Sequence, residues 1–144
     1  MYYVASGTFR SYVLVDGEEQ IIRFGYPGDF YAAVDSLIGG APTQLTACAL
    51  RKCTVRVLRK SVYEHCLNED PVFFRTWQRI QSGMIVGQLA REIDLLTNDP
   101  AARYRRVLAR SPRLFQEIPA KYIANYLRMT PETLSRVRNL ALDQ

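Results

Sequence analysis

Close to the C-terminal end of this 144-residue chain, Glu132 and Arg136 stand four positions apart, just after Thr130 and Pro131. On a helix that spacing places both side chains on one face. From there a carboxylate can accept from cytosine N4, and a guanidinium can donate a bidentate pair to guanine O6 and N7. Thr133, Ser135 and Asn139 are the other polar side chains of the same stretch. Lys121, Tyr122, Arg128 and Arg138 surround it with groups suited to phosphate oxygens, contacts that position a protein on a duplex without reading its sequence. A plainer account of the Glu132 and Arg136 spacing is a surface ion pair on an ordinary helical hairpin.

Two elements must hold these residues. Ala120 to Leu127 has Ile123, Ala124 and Leu127 on one helical face. After Arg128-Met129-Thr130-Pro131, a last helix runs to about Leu142, with Leu134, Val137 and either Leu140 or Leu142 inward. Thr130 is placed as an N-cap, Pro131 as the first helical residue, and Glu132 in the first turn, where a carboxylate is favoured. Two short helices joined by such a turn form a helix-turn-helix, whose second helix enters the major groove by its N-terminal residues. Before it, the spacing predicts a helix over Ala101 to Ala109. Its Tyr104, Val107 and Leu108 point inward and Arg103, Arg105, Arg106 and Arg110 largely outward.

The charge distribution agrees with a polyanionic partner. The chain carries a net charge of +5, yet residues 1–70 hold 7 Lys/Arg against 8 Asp/Glu and residues 71–99 hold 3 against 3. Residues 100–144 hold 9 against 3, so the positive excess is confined to the last third. Basicity concentrated in this way favours nucleic acid.

Pro71 to Thr97 has a helical rhythm. Phe74, Trp77, Ile80, Met84 and Gly87 mark one stripe; Ile85, Leu89, Ile93 and Leu96 mark another about a third of a turn away. Two stripes on one long helix suggest two partners, the β part of the chain and the same helix of a second subunit; the plainer account is a single wide core-facing surface in a monomer. Trp77, Ile80, Met84 and Gly87 are the residues expected at that dimer interface. Asn98-Asp99-Pro100 ends the helix and opens the next.

The first 62 residues read as strands and turns. Tyr2 to Val4, Phe9 to Val15, Gln20 to Phe24, Leu45 to Leu50 and Thr54 to Arg59 are short β-branched or aromatic runs. Ser6-Gly7, Asp16-Gly17, Tyr26-Pro27-Gly28-Asp29 and Gly39-Gly40-Ala41-Pro42 separate them, and Asp16-Gly17 is a strong hairpin signal. Phe30 to Ile38 is expected to be a short helix or an irregular connection. The fold class is therefore α+β: an antiparallel sandwich or roll over 1–70, a dimerisation helix over 71–98 and a helix-turn-helix over 99–144.

The segment Ile118-Pro119-Ala120-Lys121-Tyr122-Ile123-Ala124-Asn125-Tyr126-Leu127, followed by Met129-Thr130-Pro131-Glu132-Thr133-Leu134-Ser135-Arg136, resembles the helix-turn-helix of Crp/Fnr-type bacterial transcription regulators. Tyr3 to Arg10 and Pro27-Gly28-Asp29-Phe30 are similar to strand and turn patterns of that family's roll, in the same order. The resemblance implies a cyclic-nucleotide-binding-like β-roll, jelly-roll-like and lacking the family's first strands, and a helix-turn-helix of winged-helix type. It implies Glu132 and Arg136 as base readers, Thr133 as a phosphate contact, and a homodimer on duplex DNA. Thr130 and Ser135 join the positioning group. RNA polymerase and a small-molecule effector are further partners of such a regulator. The effector would lie near Gly28, Asp29, Phe30, Thr43 and Gln44. Members that bind cAMP have an Arg-Ser/Thr pair where Thr43 and Gln44 stand here. Without that cation a cyclic phosphate loses its charge-assisted hydrogen bonds, so tight cAMP or cGMP binding is not expected.

Other chemistries find less support. Three cysteines at irregular spacing argue against a disulfide framework and for a reducing compartment. Cys48, Cys53, Cys66 and the single histidine, His65, lack zinc-site spacing and are expected to be buried structural thiols beside a bystander. One histidine, and no phosphate-binding loop or nucleophile elbow, weakens every enzyme hypothesis, and no cofactor is expected. No run approaches 18 apolar residues and no signal peptide is visible, so a cytoplasmic protein with no membrane partner is expected. The rival reading is a ligand- or protein-binding roll whose helix-turn-helix no longer functions.

Overall fold

Asp16 and Gly17 both adopt positive φ, 52° and 82°, which is the geometry of a two-residue hairpin turn. They join β2 (Phe9–Val15) to β3 (Glu18–Gly25), paired from Val15 opposite Glu18 to Phe9 opposite Gly25, with one irregularity between Ser11 and Tyr12. A computed structural model describes residues 1–142, with side chains through residue 140. The chain divides into two compact units, Met1–Arg79 and Ile80–Gln144.

In the first unit, β2 also pairs with β5 (Thr46–Ala49), giving the sheet order β3-β2-β5. A second antiparallel sheet has β1 (Tyr2–Ser6) between β4 (Phe30–Tyr31) and β6 (Thr54–Val57). Part of the stretch expected to be helical or irregular therefore begins as a strand. Phe30 and Tyr31 pair with Tyr3 and Tyr2, and only Val34–Leu37 (α1) closes a helical turn. Gly7, at φ 82°, lies so close to Lys52 and Cys53 that a Cβ would meet the Lys52 carbonyl at 2.3 Å. Val4, Phe9 and Tyr31 form a core cluster, with the Phe9 and Tyr31 rings edge-to-face at 4.9 Å.

The helix α2 (Lys60–Glu69), which hydrophobic rhythm did not mark, buries Tyr63. The Tyr63 ring meets Trp77 at 5.4 Å, and Trp77 meets Phe30 at 6.3 Å. Trp77 lies in the first turns of α3 (Pro71–Leu96), so aromatic edges tie that end of the helix to the sheets. At 26 residues α3 is about 39 Å long. No helix among the described residues is long and apolar enough to cross a membrane.

The second unit contains the rest of α3, then α4 (Pro100–Arg110), α5 (Pro112–Glu117), α6 (Ala120–Tyr126) and α7 (Pro131–Leu142). Asp99 caps α4, accepting from Ala101 and Ala102 at 3.1 and 3.0 Å, with Pro100 at the first position. Tyr104, Val107, Leu114, Ile118, Ile123, Ala124, Leu127, Leu134 and Val137 are buried as one apolar face of each helix. Leu140 is exposed rather than inward, and the alternative, the Leu142 side chain, lies outside the described residues. No strand follows β6 among the described residues, so a wing is not among them.

Candidate nucleic-acid interface

The turn between α6 and α7 is fixed by backbone hydrogen bonds. Arg128 N–H donates to Asn125 O and Met129 N–H to Ala124 O, both at 3.0 Å, while Arg128 takes φ 53°. This is the Schellman ending of a helix, with arginine in the left-handed position that glycine usually fills. Two residues later Thr130 caps α7. Its hydroxyl accepts from Thr133 N–H at 3.2 Å and lies 3.2 Å from Thr133 Oγ1.

Burying Leu134 and Val137 against the unit's core turns the opposite face of α7 outward. Glu132, Ser135, Arg136 and Asn139 are all exposed there, within an arc of about 100° at 3.6 residues per turn. Among the described residues no ion pair joins Glu132 to Arg136, so their helical spacing does not close into a salt bridge. Glu132's own backbone N–H, and secondly the Thr130 hydroxyl, hold its carboxyl below the usual glutamate range. It remains an ionised acceptor at neutral pH. Lys121 is exposed in the first turn of α6, with its ammonium 4.7 Å from the Tyr122 ring centroid. Arg128 and Arg138 are exposed as well, and partial burial lowers the Arg128 pKa from its ordinary value. Thr133 is half-buried against Thr130.

The basic excess is less available than the charge distribution suggests. Arg103, expected outward, is only 8% exposed and points into the unit. Arg106 and Arg110 are bound to Asp94 of α3, and Arg113 pairs with Glu117. Arg91 of α3 is buried over the ring of Tyr126, at 3.7 Å from its centroid. Desolvation, the largest influence on it, lowers the Arg91 pKa. Sequence reasoning missed Arg91, Asp94 and the inward turn of Arg103. The steps of three and four linking Arg103, Arg106 and Arg110 put them on one helical face, a signal that could have found them.

The two stripes of α3 differ in exposure. Trp77, expected at a dimer interface, is a core residue at 6% exposure, because the rings of Phe30 and Tyr63 enclose it. Ile80 and Met84 are half-buried and Gly87 is exposed. In the second stripe Ile85, Leu89, Ile93 and Leu96 are 70, 58, 43 and 73% exposed, and Phe74 of the first stripe is 43% exposed.

In the first unit, Asp29 uses its carboxylate on its own turn, accepting from Tyr26 N–H at 2.9 Å next to Gly28. Phe30 packs between Tyr3 and Trp77. Thr43 and Gln44 are exposed before β5, in the other sheet's connection, where Thr43 Oγ1 accepts from Leu45 N–H at 3.0 Å. The cysteines depart from the expectation of burial: Cys48 is exposed and Cys53 and Cys66 are half-buried. Cys53 Sγ lies 3.3 Å from Thr8 O.

Residues 1–70 match the cyclic nucleotide-binding domain family. FixK2 from Bradyrhizobium japonicum superimposes with a TM-score of 0.82 at 27% identity, covering 99% of this chain and 74% of its own. The chain has the architecture of the Crp/Fnr-type regulators. A transcriptional regulator of the CRP family from Thermus thermophilus shares that architecture at a TM-score of 0.70 and 22% identity, over 96% of this chain and 72% of its own. The c-di-GMP-responsive global regulator CLP of Xanthomonas campestris does so at 0.67 and 16%, over 99% and 77%. No curated protein matches the sequence. In Crp/Fnr terms, the first unit carries the β-roll, α3 the long helix, and α6 with α7 the helix-turn-helix.

Proposed function

We propose that the protein is a homodimeric, sequence-specific DNA-binding transcription regulator, with no catalytic activity and no response to cAMP. One observation carries the reading: the outward face of α7 presents Glu132, Ser135, Arg136 and Asn139 with no ion pair between its acid and its base. Exposed Lys121, Arg128 and Arg138 flank that face and suit phosphate contacts, with Tyr122, Thr130 and Thr133 beside them. The open stripe of Ile85, Leu89, Ile93 and Leu96 supports pairing with a second copy of α3. Two-fold symmetry then sets two recognition helices about 34 Å apart on a pseudo-palindromic site. Among Gly28, Asp29, Phe30, Thr43 and Gln44 the one acid, Asp29, commits its carboxylate to its own turn, and none of the five is a cation. A cyclic phosphate lacks a charged donor among them. RNA polymerase is a further partner of a regulator so built.

Fluorescence anisotropy on a randomised duplex pool, titrated with salt and followed by sequencing of the retained fraction, tests the reading. A steep salt slope with an enriched inverted repeat is expected. A steep slope without enrichment rejects sequence reading, and no binding at low salt rejects DNA as the partner. Calorimetry with cAMP is expected to give no heat of binding.

A further inference from the structure

Arg103 stands where the C-terminal ends of two helices meet. Its Nε and Nη2 donate to Thr97 O, just past α3, at 3.0 and 2.7 Å. Its Nη1 donates to Leu127 O at 2.7 Å and reaches Arg128 O at 3.2 Å, just past α6. The last carbonyls of a helix have no partner within it and carry the negative end of its dipole. One buried cation therefore satisfies both ends at once, with the rigid fork that only arginine provides. Arg91 adds a second hold. From α3 it donates Nη2 to Tyr126 O and lies over the ring of the same residue. The carbonyls of Tyr126, Leu127 and Arg128 lead directly into the turn that aims α7.

We propose that Arg103, with Arg91, is a positioning clamp that fixes the α6–α7 turn to the end of α3 and so sets the angle at which α7 meets its target. The proposal rests on the DNA-binding reading for its consequence, though not for the clamp itself. Neither side chain has to touch the nucleic acid. Loosening the clamp lets the recognition face wander relative to the base edges while the phosphate-binding cations remain in place. Specificity then falls and nonspecific affinity does not. A clamp joined to the end of α3 also makes the turn sensitive to how that helix ends.

The test compares the full-length protein with Arg103→Ala, Arg103→Lys and Arg91→Ala. Two quantities are read: the ratio of affinities for the pool-selected duplex and a scrambled one, and amide hydrogen exchange across residues 128–134 in the free protein. Arg103→Ala is expected to lower the ratio roughly tenfold, the equivalent of one bidentate base contact, with the salt slope unchanged. Exchange in the turn should accelerate by about tenfold, as local opening becomes easier. Arg103→Lys keeps the charge but reaches one helix end only, so it should fall between Arg103→Ala and the parent. If the alanine variant does not fold, Arg103→Lys and Arg91→Ala carry the comparison. A ratio and an exchange rate both equal to the parent's overturn the clamp. A salt slope lower by about one makes Arg103 a phosphate contact and also overturns it. If the parent protein binds no duplex, the DNA reading fails while the exchange measurement still decides the clamp.

Discussion

The carboxylate of Asp94, with none of its surface exposed, lies 2.6 Å from Arg110 Nη1. The approach to Oδ2 is close but off the hydrogen-bonding direction, so this contact is an ion pair, while Arg106 Nε donates to Oδ1 at 3.1 Å. Removing one partner of a buried pair costs about 3–5 kcal/mol, because the remaining charge is left unmatched. Arg106 and Arg110 keep 44 and 29% of their side chains in solvent, which softens that cost. Asp94→Ala is therefore expected to destabilise the second unit by about 3 kcal/mol. Urea unfolding at neutral pH measures it, and a loss under about 1 kcal/mol would make the pair a surface ornament of the fold.

Arg128 offers the opposite change. It holds φ 53° at the end of α6, a conformation that costs an L-residue about 1–2 kcal/mol and glycine very little. Glycine in the unfolded chain gives back about 0.4–1 kcal/mol in entropy. Arg128→Gly is expected to stabilise the protein by about 0.5–1 kcal/mol in urea unfolding. Because Arg128 is placed among the phosphate contacts, the same variant should bind every duplex more weakly, with a shallower salt slope.

The parts of this fold that were legible in the sequence are those where one local rule suffices. Asp16-Gly17 names its own hairpin, and Thr130-Pro131-Glu132 names the start of α7, where Thr130 does accept from Thr133 N–H. The outward position of Glu132 and Arg136 followed from apolar spacing alone. Long-range pairing was not legible. Phe30 and Tyr31 form a strand because β1, some 28 residues earlier, supplies the partner edge, and no local signal carries that. Arg103 reads as solvated because charge usually is; its burial follows from carbonyls at Thr97 and Leu127, which a sequence pattern treats as anonymous. Both stripes of α3 are legible, but the burial of Trp77 depends on where Tyr63 and Phe30 lie.

The burial of Trp77 and the exposure of Leu89 on α3 separate two variants. Trp77→Ala should destabilise the first unit by about 3–5 kcal/mol, the cost of emptying a large aromatic site in a core. Leu89→Lys places a charge in the middle of the open stripe, where 58% of Leu89 is already in solvent, and should leave monomer stability unchanged to within about 0.5 kcal/mol. Its effect is expected in sedimentation velocity, as a shift from dimer to monomer. A Leu89→Lys protein that stays dimeric would move the interface away from this stripe.

Arg136→Ala and Lys121→Ala separate reading from holding. Arg136 lies on the exposed face with Glu132, and losing a bidentate guanine contact costs about 1–3 kcal/mol per base read. Its alanine variant should relax preference at one position of the selected site. Lys121 lies in the first turn of α6, so Lys121→Ala should weaken selected and scrambled duplexes alike and reduce the salt slope by about one. Anisotropy on both duplexes at several salt concentrations distinguishes them, and identical behaviour would remove both assignments.

Glu132 gives α7 an acid limit. Its own backbone N–H and the Thr130 hydroxyl lower its carboxyl pKa in the folded protein. The folded state then binds fewer protons than the unfolded chain in the interval between the two pKa values, so stability rises with pH across that interval. The contribution is complete above the unfolded value of about 4.3 and is lost as pH falls through the lower, folded one. Glu132→Gln cannot titrate and should remove this dependence. Urea midpoints from neutral to acid pH should therefore show parent and variant converging below about pH 4.3. Thr130→Ala removes both the cap and one of the groups holding the carboxylate, so it should cost about 1 kcal/mol at neutral pH and flatten the acid limb. A parent whose acid limb survives Glu132→Gln unchanged would place that titration on another carboxylate and leave Glu132 as an exposed acceptor only.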